Sequence, residues 1–175
     1  VDDLYGRAIG KVSQVQWGSQ NAGDISGEVL YRGGRFDIEM VDVNSPFGDF
    51  RLKGHIGIAD GAPLQLSVIG DAIELNKLVR WFSLDKQIAL HGNGQVQLEV
   101  TGTTDSPRYS GQVTLFRPKL YTWELDDGII RFNGDLNQFH IEEFKLHGEG
   151  SNIQMSGSLA HDRLEMKYSG YIDDI

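Results

Sequence analysis

"IALHGNGQVQLEVTGTTDSPRYSGQVTLF", residues 88–116, alternates large apolar and polar side chains in two runs separated by a Thr/Asp/Ser/Pro turn. Ile88, Leu90, Val96, Leu98 and Val100 share one parity, with Gly92 and Gly94 between them. After the turn, Tyr109, Val113 and Leu115 resume the alternation around Gly111. Successive side chains of a strand point to opposite faces, so the stretch predicts two strands with one apolar and one wet face. What covers the apolar face is the question the rest of the chain must answer.

The rest offers mostly more strands of the same kind. "DISGEVLYRGGRFDIEM" (24–40) places Val29 and Tyr31 before a Gly33-Gly34 turn and Phe36, Ile38 and Met40 after it, a hairpin signal. "FRLKGHIGI" (50–58) sets Phe50, Leu52, Ile56 and Ile58 against Arg51, Lys53 and His55, and "PLQLSVIG" (63–70) repeats the pattern with Leu64, Leu66 and Val68. "LYTWELDDGIIRFNG" (120–134) is expected to turn at Asp126-Asp127-Gly128. "FHIEEFKLHGEGSNIQMSGSLA" (139–160) and "RLEMKYSGYI" (163–172) complete about twelve strands. The prolines at 46, 63, 107 and 118 are expected at strand edges or turns, where a missing N–H does no harm.

One segment departs from the pattern. "GDAIELNKLVRWFSL" (70–84) spaces Ala72, Leu75, Leu78, Val79 and Phe82 as a helix does, with Asp71 placed as an N-cap. The spacing predicts a single amphipathic helix over 72–82, its stripe packed on the end of the sheet.

A repeat also runs through the chain. "FDIE" at 36–39 matches "FHIE" at 139–142, an offset of 139 − 36 = 103. At that offset Phe50, Leu52, Gly54 and Ile56 fall on Ile153, Met155, Gly157 and Leu159. With a turn three residues shorter, Leu64, Leu66, Val68 and Gly70 then fall on Leu164, Met166, Tyr168 and Gly170. Few pairs are identical, but the phase persists across two strands and a turn, which favours approximate repeats over 27–70 and 128–170.

Composition narrows the function. The chain has 175 residues, 39% of them hydrophobic, and 22 glycines with 4 prolines, which is no disordered or low-complexity profile. Sixteen Lys and Arg against twenty-five Asp and Glu give a formal charge of −9, the wrong sign for tracking phosphates or an anionic bilayer. No cysteine is present to form disulfides or thiolate metal sites. No run approaches the roughly 18 apolar residues of a membrane span. The abrupt "VDDLYG" and "GYIDDI" read as the bounds of a single β-rich fragment, 1–175, of a longer repeat protein.

Chemistry-bearing motifs are missing. His55, His91, His140, His147 and His161 have no metal-ligand spacing, and Asp126-Asp127-Gly128 lacks the alternate oxygen ligands of a calcium loop. "GNG" (92–94) and "GEG" (148–150) precede no helix start and read as strand bends. Glu142 and Glu143 point to opposite faces of a strand. Trp17, Trp81 and Trp123 are too dispersed to form a stacking platform. The expectation is a protein that is not an enzyme, with no cofactor and no metal.

The stretch "LHGNGQVQLEVTGTTDSPRYSGQVTLFRPKLY" (90–121), a strand ending in T-G-T, a turn with Pro and then x-G-x-V-x-L, resembles the TamB family. "LDDGIIRFNGD" (125–135) and "FHIEEFKLHGEGSNIQMSGSLA" (139–160), with its G-x-G and G-x-L run, extend the likeness, best over 70–170 and looser over 1–69. The wider group is that of the AsmA-like, bridge-like lipid-transfer proteins. The resemblance implies an all-β fold: one long, strongly curved sheet, a β-taco, around an apolar groove. It also implies an inner-membrane-anchored protein in the periplasm of a diderm bacterium, with phospholipid as cargo. Its other implied partner is an Omp85-type outer-membrane barrel, met through parts of the protein outside this sequence. It brings no catalytic residues.

The residues themselves point the same way. A sheet with one apolar face must bury it against something, and a single short helix is too little. About twelve strands at ~4.8 Å spacing make a sheet on the order of 55 Å long. Phe50, Leu52, Ile56, Val96, Leu98, Val100, Val113, Leu115, Ile130, Phe132, Phe139, Ile141, Ile153, Met155, Leu164 and Met166 are expected to line one continuous surface that shelters lipid acyl chains, or apolar segments of outer-membrane proteins. Arg51, Lys53, Gln97, Glu99, Gln154 and Glu165 are expected on the opposite, wet face. A structural β-sandwich or solenoid, used as a spacer or adhesin, shows the same alternation, and so does a lipocalin-like barrel.

Overall fold

The computed structural model describes residues 4–17, 20–81, 89–160 and 163–172. They form one antiparallel sheet: β1 (Tyr5–Trp17), β2 (Gln20–Arg32), β3 (Arg35–Ser45), β4 (Gly48–Gly57), β5 (Pro63–Glu74), β6 (Leu90–Thr103), β7 (Pro107–Leu120), β8 (Trp123–Glu124), β9 (Asp127–Asp135), β10 (Gln138–Gly148), β11 (Ser151–Ala160) and β12 (Arg163–Ile172). Each strand pairs with the next in sequence, except that the two-residue β8 pairs only with the end of β7, at Lys119 and Leu120, and β9 pairs with the rest of β7, from Arg108 to Phe116. Among the described residues β1 and β12 are the two edges and do not meet, so the sheet is open rather than a barrel. Consecutive pairing follows from short turns. Gly33 and Gly34 both sit at positive φ, 50° and 81°, between the paired Arg32 and Arg35. Among two-residue loops, one with that handedness follows the right-handed strand twist without splaying the strands.

The helix α1 (Leu75–Trp81) is shorter than its periodicity suggests. Residues 71–74 stay in β5, where Ile73 pairs with Gly94 and Glu74 with Asn93. Ala72, at φ 52°, lies in the bulge between Gly70 and Ile73. Asp71 caps nothing there; Gln95 Nε2 donates to its Oδ1 at 3.2 Å. Sheet pairing overrides helical propensity until Glu74, where the strand passes the end of its ladder. Leu75 then buries itself, while Phe82 lies outside the described residues.

Two more expectations are corrected. The turn expected at Asp126-Asp127-Gly128 lies instead at Tyr121-Thr122, and Asp127 and Gly128 belong to β9. Gly128 is not a hinge. A Cβ there would lie 2.6 Å from Leu146 Cδ2 and 3.1 Å from Leu115 Cδ1, so its role is close packing. Pro118 is inside β7 rather than at its edge, in the irregularity opposite His91–Asn93. A bulge leaves that position without a ladder bond to donate.

The units β2–β5 and β9–β12 share one register. Val29↔Ile38, Ile38↔Gly54, Val41↔Leu52 and Leu52↔Val68 in the first correspond to Phe132↔Ile141, Ile141↔Gly157, Phe144↔Met155 and Met155↔Tyr168 in the second. Even the bulges coincide, between Ile38 and Val41 in β3 and between Ile141 and Phe144 in β10.

Candidate functional site

Directly opposed residues of an antiparallel ladder point to the same face, so the register assigns each side chain. One row runs Leu52–Val68–Leu98–Gly111–Phe132–Ile141. The next runs Phe50–Gly70–Val96–Val113–Ile130–Phe144–Met155. Below them lie Leu66–Val100–Tyr109–Gly134–Phe139 and, in the first unit, Tyr31–Phe36–Ile56–Leu64. Above them, Gly94–Leu115–Gly128–Leu146–Ile153 makes the last row. Fourteen of the sixteen residues expected on one surface therefore share one face in register, and Leu164 and Met166 pair along the backbone with Leu159 and Gly157.

The face is buried unevenly. Among the residues expected to line it whose exposure is described, Leu115 alone is fully buried, at 1% exposure; the others are half-buried. Apart from Leu30, buried on the opposite face of β2 in the ladder of Asp37 and His55, full burial of apolar side chains among the described residues is concentrated along one rim, at the strand ends nearest α1. Leu75, Leu115, Leu125 and Leu146 form a closed cluster there, against which Leu90, Val113, Leu120, Ile130, Phe144 and Ile153 pack. Phe47 and Ile73 extend the buried rim towards β3. Glycine makes the seal possible. A Cβ on Gly94 would stand 3.2 Å from Leu75 Cδ2, so the helix leucine rests on bare backbone between its neighbours.

Away from that rim the rows stay half-open. Tyr109 and Phe139 stack with ring centroids 6.4 Å apart, and Phe132 lies 5.6 Å from Phe139. Gly111 and Gly134 leave the space that these rings occupy. The Tyr109 hydroxyl donates to the Gln138 carbonyl at 3.3 Å, and burial raises its pKa, aided by the nearby Asp135 charge. Phe36, on the same face, is 42% exposed.

Sequence parity missed Phe144 and Leu146, because the extra residue in β10 moves the apolar phase from 139 and 141 to 144 and 146. The three-residue step from Ile141 to Phe144 in "FHIEEFKL" was the available signal.

The opposite face is polar and wet. Arg51, Lys53, Gln97, Glu99, Gln154 and Glu165 are all exposed. Ion pairs bridge neighbouring strands, Arg7 Nε to Glu28 at 2.6 Å, Arg51 to Asp42 at 3.2 Å and Arg131 to Glu143, and Glu143 also pairs with Lys145 of its own strand. The hydrogen bond from Lys145 outweighs desolvation and, with the lesser contributions of the Lys145 and Arg131 charges, holds Glu143 below the usual carboxylate range. Arg7 does the same for Glu28 through its hydrogen bond. Among the described residues no group of three or more His, Asp or Glu side chains is placed to hold a metal, and no helix is long and apolar enough to cross a membrane.

The arrangement offers one broad apolar surface, sealed along one rim and partly open elsewhere, backed by a charged face. A surface of this kind can hold hydrocarbon by exclusion of water alone, since each buried CH₂ is worth ~0.8 kcal/mol. No family model matches the chain, and neither a curated protein nor a solved structure matches it.

Proposed function

We propose that this chain is a segment of a lipid conduit: the sheet curves along its length into a β-taco whose apolar face shelters acyl chains passing between two membranes. One observation carries the reading. From β3 to β11 most apolar residues share one face, and away from the rim closed by Leu75, Leu115, Leu125 and Leu146 those on it stay half-buried, while the one described element outside the sheet, α1, packs on that rim. A structural domain of this size closes most of its apolar rows into a core. A conduit leaves them for its cargo. The resemblance of residues 70–170 to the TamB family supports the same assignment. With it come the periplasm, an inner-membrane anchor and an Omp85-type barrel beyond this sequence, and apolar segments of outer-membrane proteins as a further cargo.

The decisive experiment combines folding with cargo capture. Leu98→Asp places a charge on the half-buried face, where water and the side chain's reach limit the cost. The conduit reading expects a protein that still unfolds cooperatively, with a loss of about 1–2 kcal/mol, and lipid transfer abolished in the full-length protein. In a closed core the unpaired charge would cost several kcal/mol and unfold the chain. A photo-crosslinking residue at Leu98 or Met155 should capture phospholipid in cells, and one at Gln97 should not. Unfolding of Leu98→Asp, with no lipid adduct at either apolar position, would favour a structural spacer instead.

A further inference from the structure

Gly70, Gly111 and Gly134 lie inside β5, β7 and β9, on the apolar face. None has the positive φ that calls for glycine. Glycine weakens a strand interior, so its use here lies in the space that the missing side chain leaves. Rings fill that space. A Cβ on Gly70 would lie 2.7 Å from Phe50 Cε1, one on Gly111 2.7 Å from Phe132 Cζ, and one on Gly134 2.5 Å from Tyr109 Oη. In each case the ring belongs to the residue directly opposite in the ladder.

The contact atoms fix how the rings are posed. A ring edge at the Cβ position of the next strand has crossed the ~4.8 Å between strands, so the ring lies along the sheet instead of standing up from it. Phe139, stacked on Tyr109, is opposite Gly134 as well. Among the described residues of β4, β7, β9 and β10, Phe144 is the one ring on this face without a glycine opposite, and it packs on the sealed rim.

We propose that Gly70, Gly111 and Gly134 set the clearance of the conduit: by seating the rings of Phe50, Phe132 and Tyr109 flat, they keep its floor low enough for an acyl chain to lie along it. The inference rests on the conduit reading. The glycines are positioning residues, since they act through the rings they seat. Gly70 is the position to change, because the nearest atoms there all belong to side chains, whereas a backbone oxygen, of Gln97 or Gln138, also faces Gly111 and Gly134. A methyl group on Gly70 lifts the Phe50 ring from its seat. Phe47 stands edge-on to that ring at 5.6 Å on the rim side, and Val96 Cγ1 occupies the far side of Gly70, so the ring turns up into the trough.

An aromatic over a glycine also restores packing that the strand lacks, and paired variants separate the two roles. The probe is cis-parinaric acid, an acyl chain whose fluorescence rises in apolar surroundings, titrated into the purified chain. Gly70→Ala should bind it roughly tenfold more weakly than the parent. Phe50→Ala, and Gly70→Ala combined with Phe50→Ala, should both stay within about threefold of the parent, since no ring is left to rise. Val96 must yield to the new methyl in both Gly70 variants, so their difference reports the ring alone. Thermal unfolding followed by circular dichroism checks that each variant folds. Gly70→Ala with the parent's affinity, or a double variant as weak as the single one, would overturn the proposal. Should Gly70→Ala not unfold cooperatively, Phe50→Ala decides: a loss of roughly tenfold there would make the ring a standing contact for cargo and overturn the seat. A parent that binds no probe removes the conduit reading itself, and this inference with it.

Discussion

Ile38 and Ile141 hold the same station in two hairpins 103 residues apart: each faces a glycine, Gly54 or Gly157, and each is the last pair before an extra residue enters its strand. Beyond the bulge the apolar phase resumes one residue late, at Val41 in β3 and Phe144 in β10. A bulge bends its strand and increases the local twist. Two at equivalent places are a local source of the curvature that the proposed conduit needs.

Deleting Glu142 should regularise the ladder of β10 and keep every side chain on its face, because Ile141↔Phe132, Glu143↔Arg131 and Phe144↔Ile130 then follow one another without an extra residue. What the deletion removes is the bend and added twist of the bulge. The expected product still unfolds cooperatively, with a near-ultraviolet circular dichroism changed around Phe139 and Phe144. Deleting Glu39 from β3 should act alike. Loss of cooperative unfolding in both deletions would show that the fold depends on the bends themselves.

Gly128 and Gly10 should respond oppositely to a side chain. A Cβ at Gly128 meets Leu146 at 2.6 Å, while one at Gly10 meets nothing within 4 Å. Gly128→Val is expected to cost about 1–3 kcal/mol through overpacking, and Gly10→Ala to stay within about 0.5 kcal/mol of the parent. Urea unfolding of both variants is the check.

The sealed rim and the open rows should differ in energetic weight. Leu146→Ala removes a side chain that is 1% exposed in the Leu75–Leu115–Leu125 cluster, and about 2–5 kcal/mol should be lost with it. Val100→Ala, on the half-buried part of the same face, should cost about 1 kcal/mol or less. Equal costs would mean that the whole face is a closed core.

Acid should weaken the fold through specific carboxylates. Glu143 and Glu28 titrate below their ordinary values when folded, each led by a hydrogen bond from a cation on the polar face. A lowered folded pKa contributes stability above the unfolded value of about 4.3, and that stability is lost as pH falls through the folded pKa. Melting temperature should therefore drop between about pH 5 and pH 3, and Glu143→Gln should flatten the drop. A variant with the parent's slope would remove Glu143 from the account.

Alternation alone determined that this chain is all-β, that Leu98, Val113 and Met155 share a face, and that Gln97 and Gln154 oppose them. Side-chain direction in a strand depends only on parity, and parity is written residue by residue. The strand β1 was not legible, because its side on the apolar face carries Gly6, Ala8 and Gly10, while Tyr5 and Ile9 lie on the other. Tertiary structure decided where parity breaks. The jump to Phe144, the strand pairing that holds residues 71–74 out of the helix, and the use of Gly128 and Gly94 as seats for leucines all depend on atoms far away in sequence. A glycine reads as a turn until the side chain that fills its empty space is known, and that side chain comes from another strand.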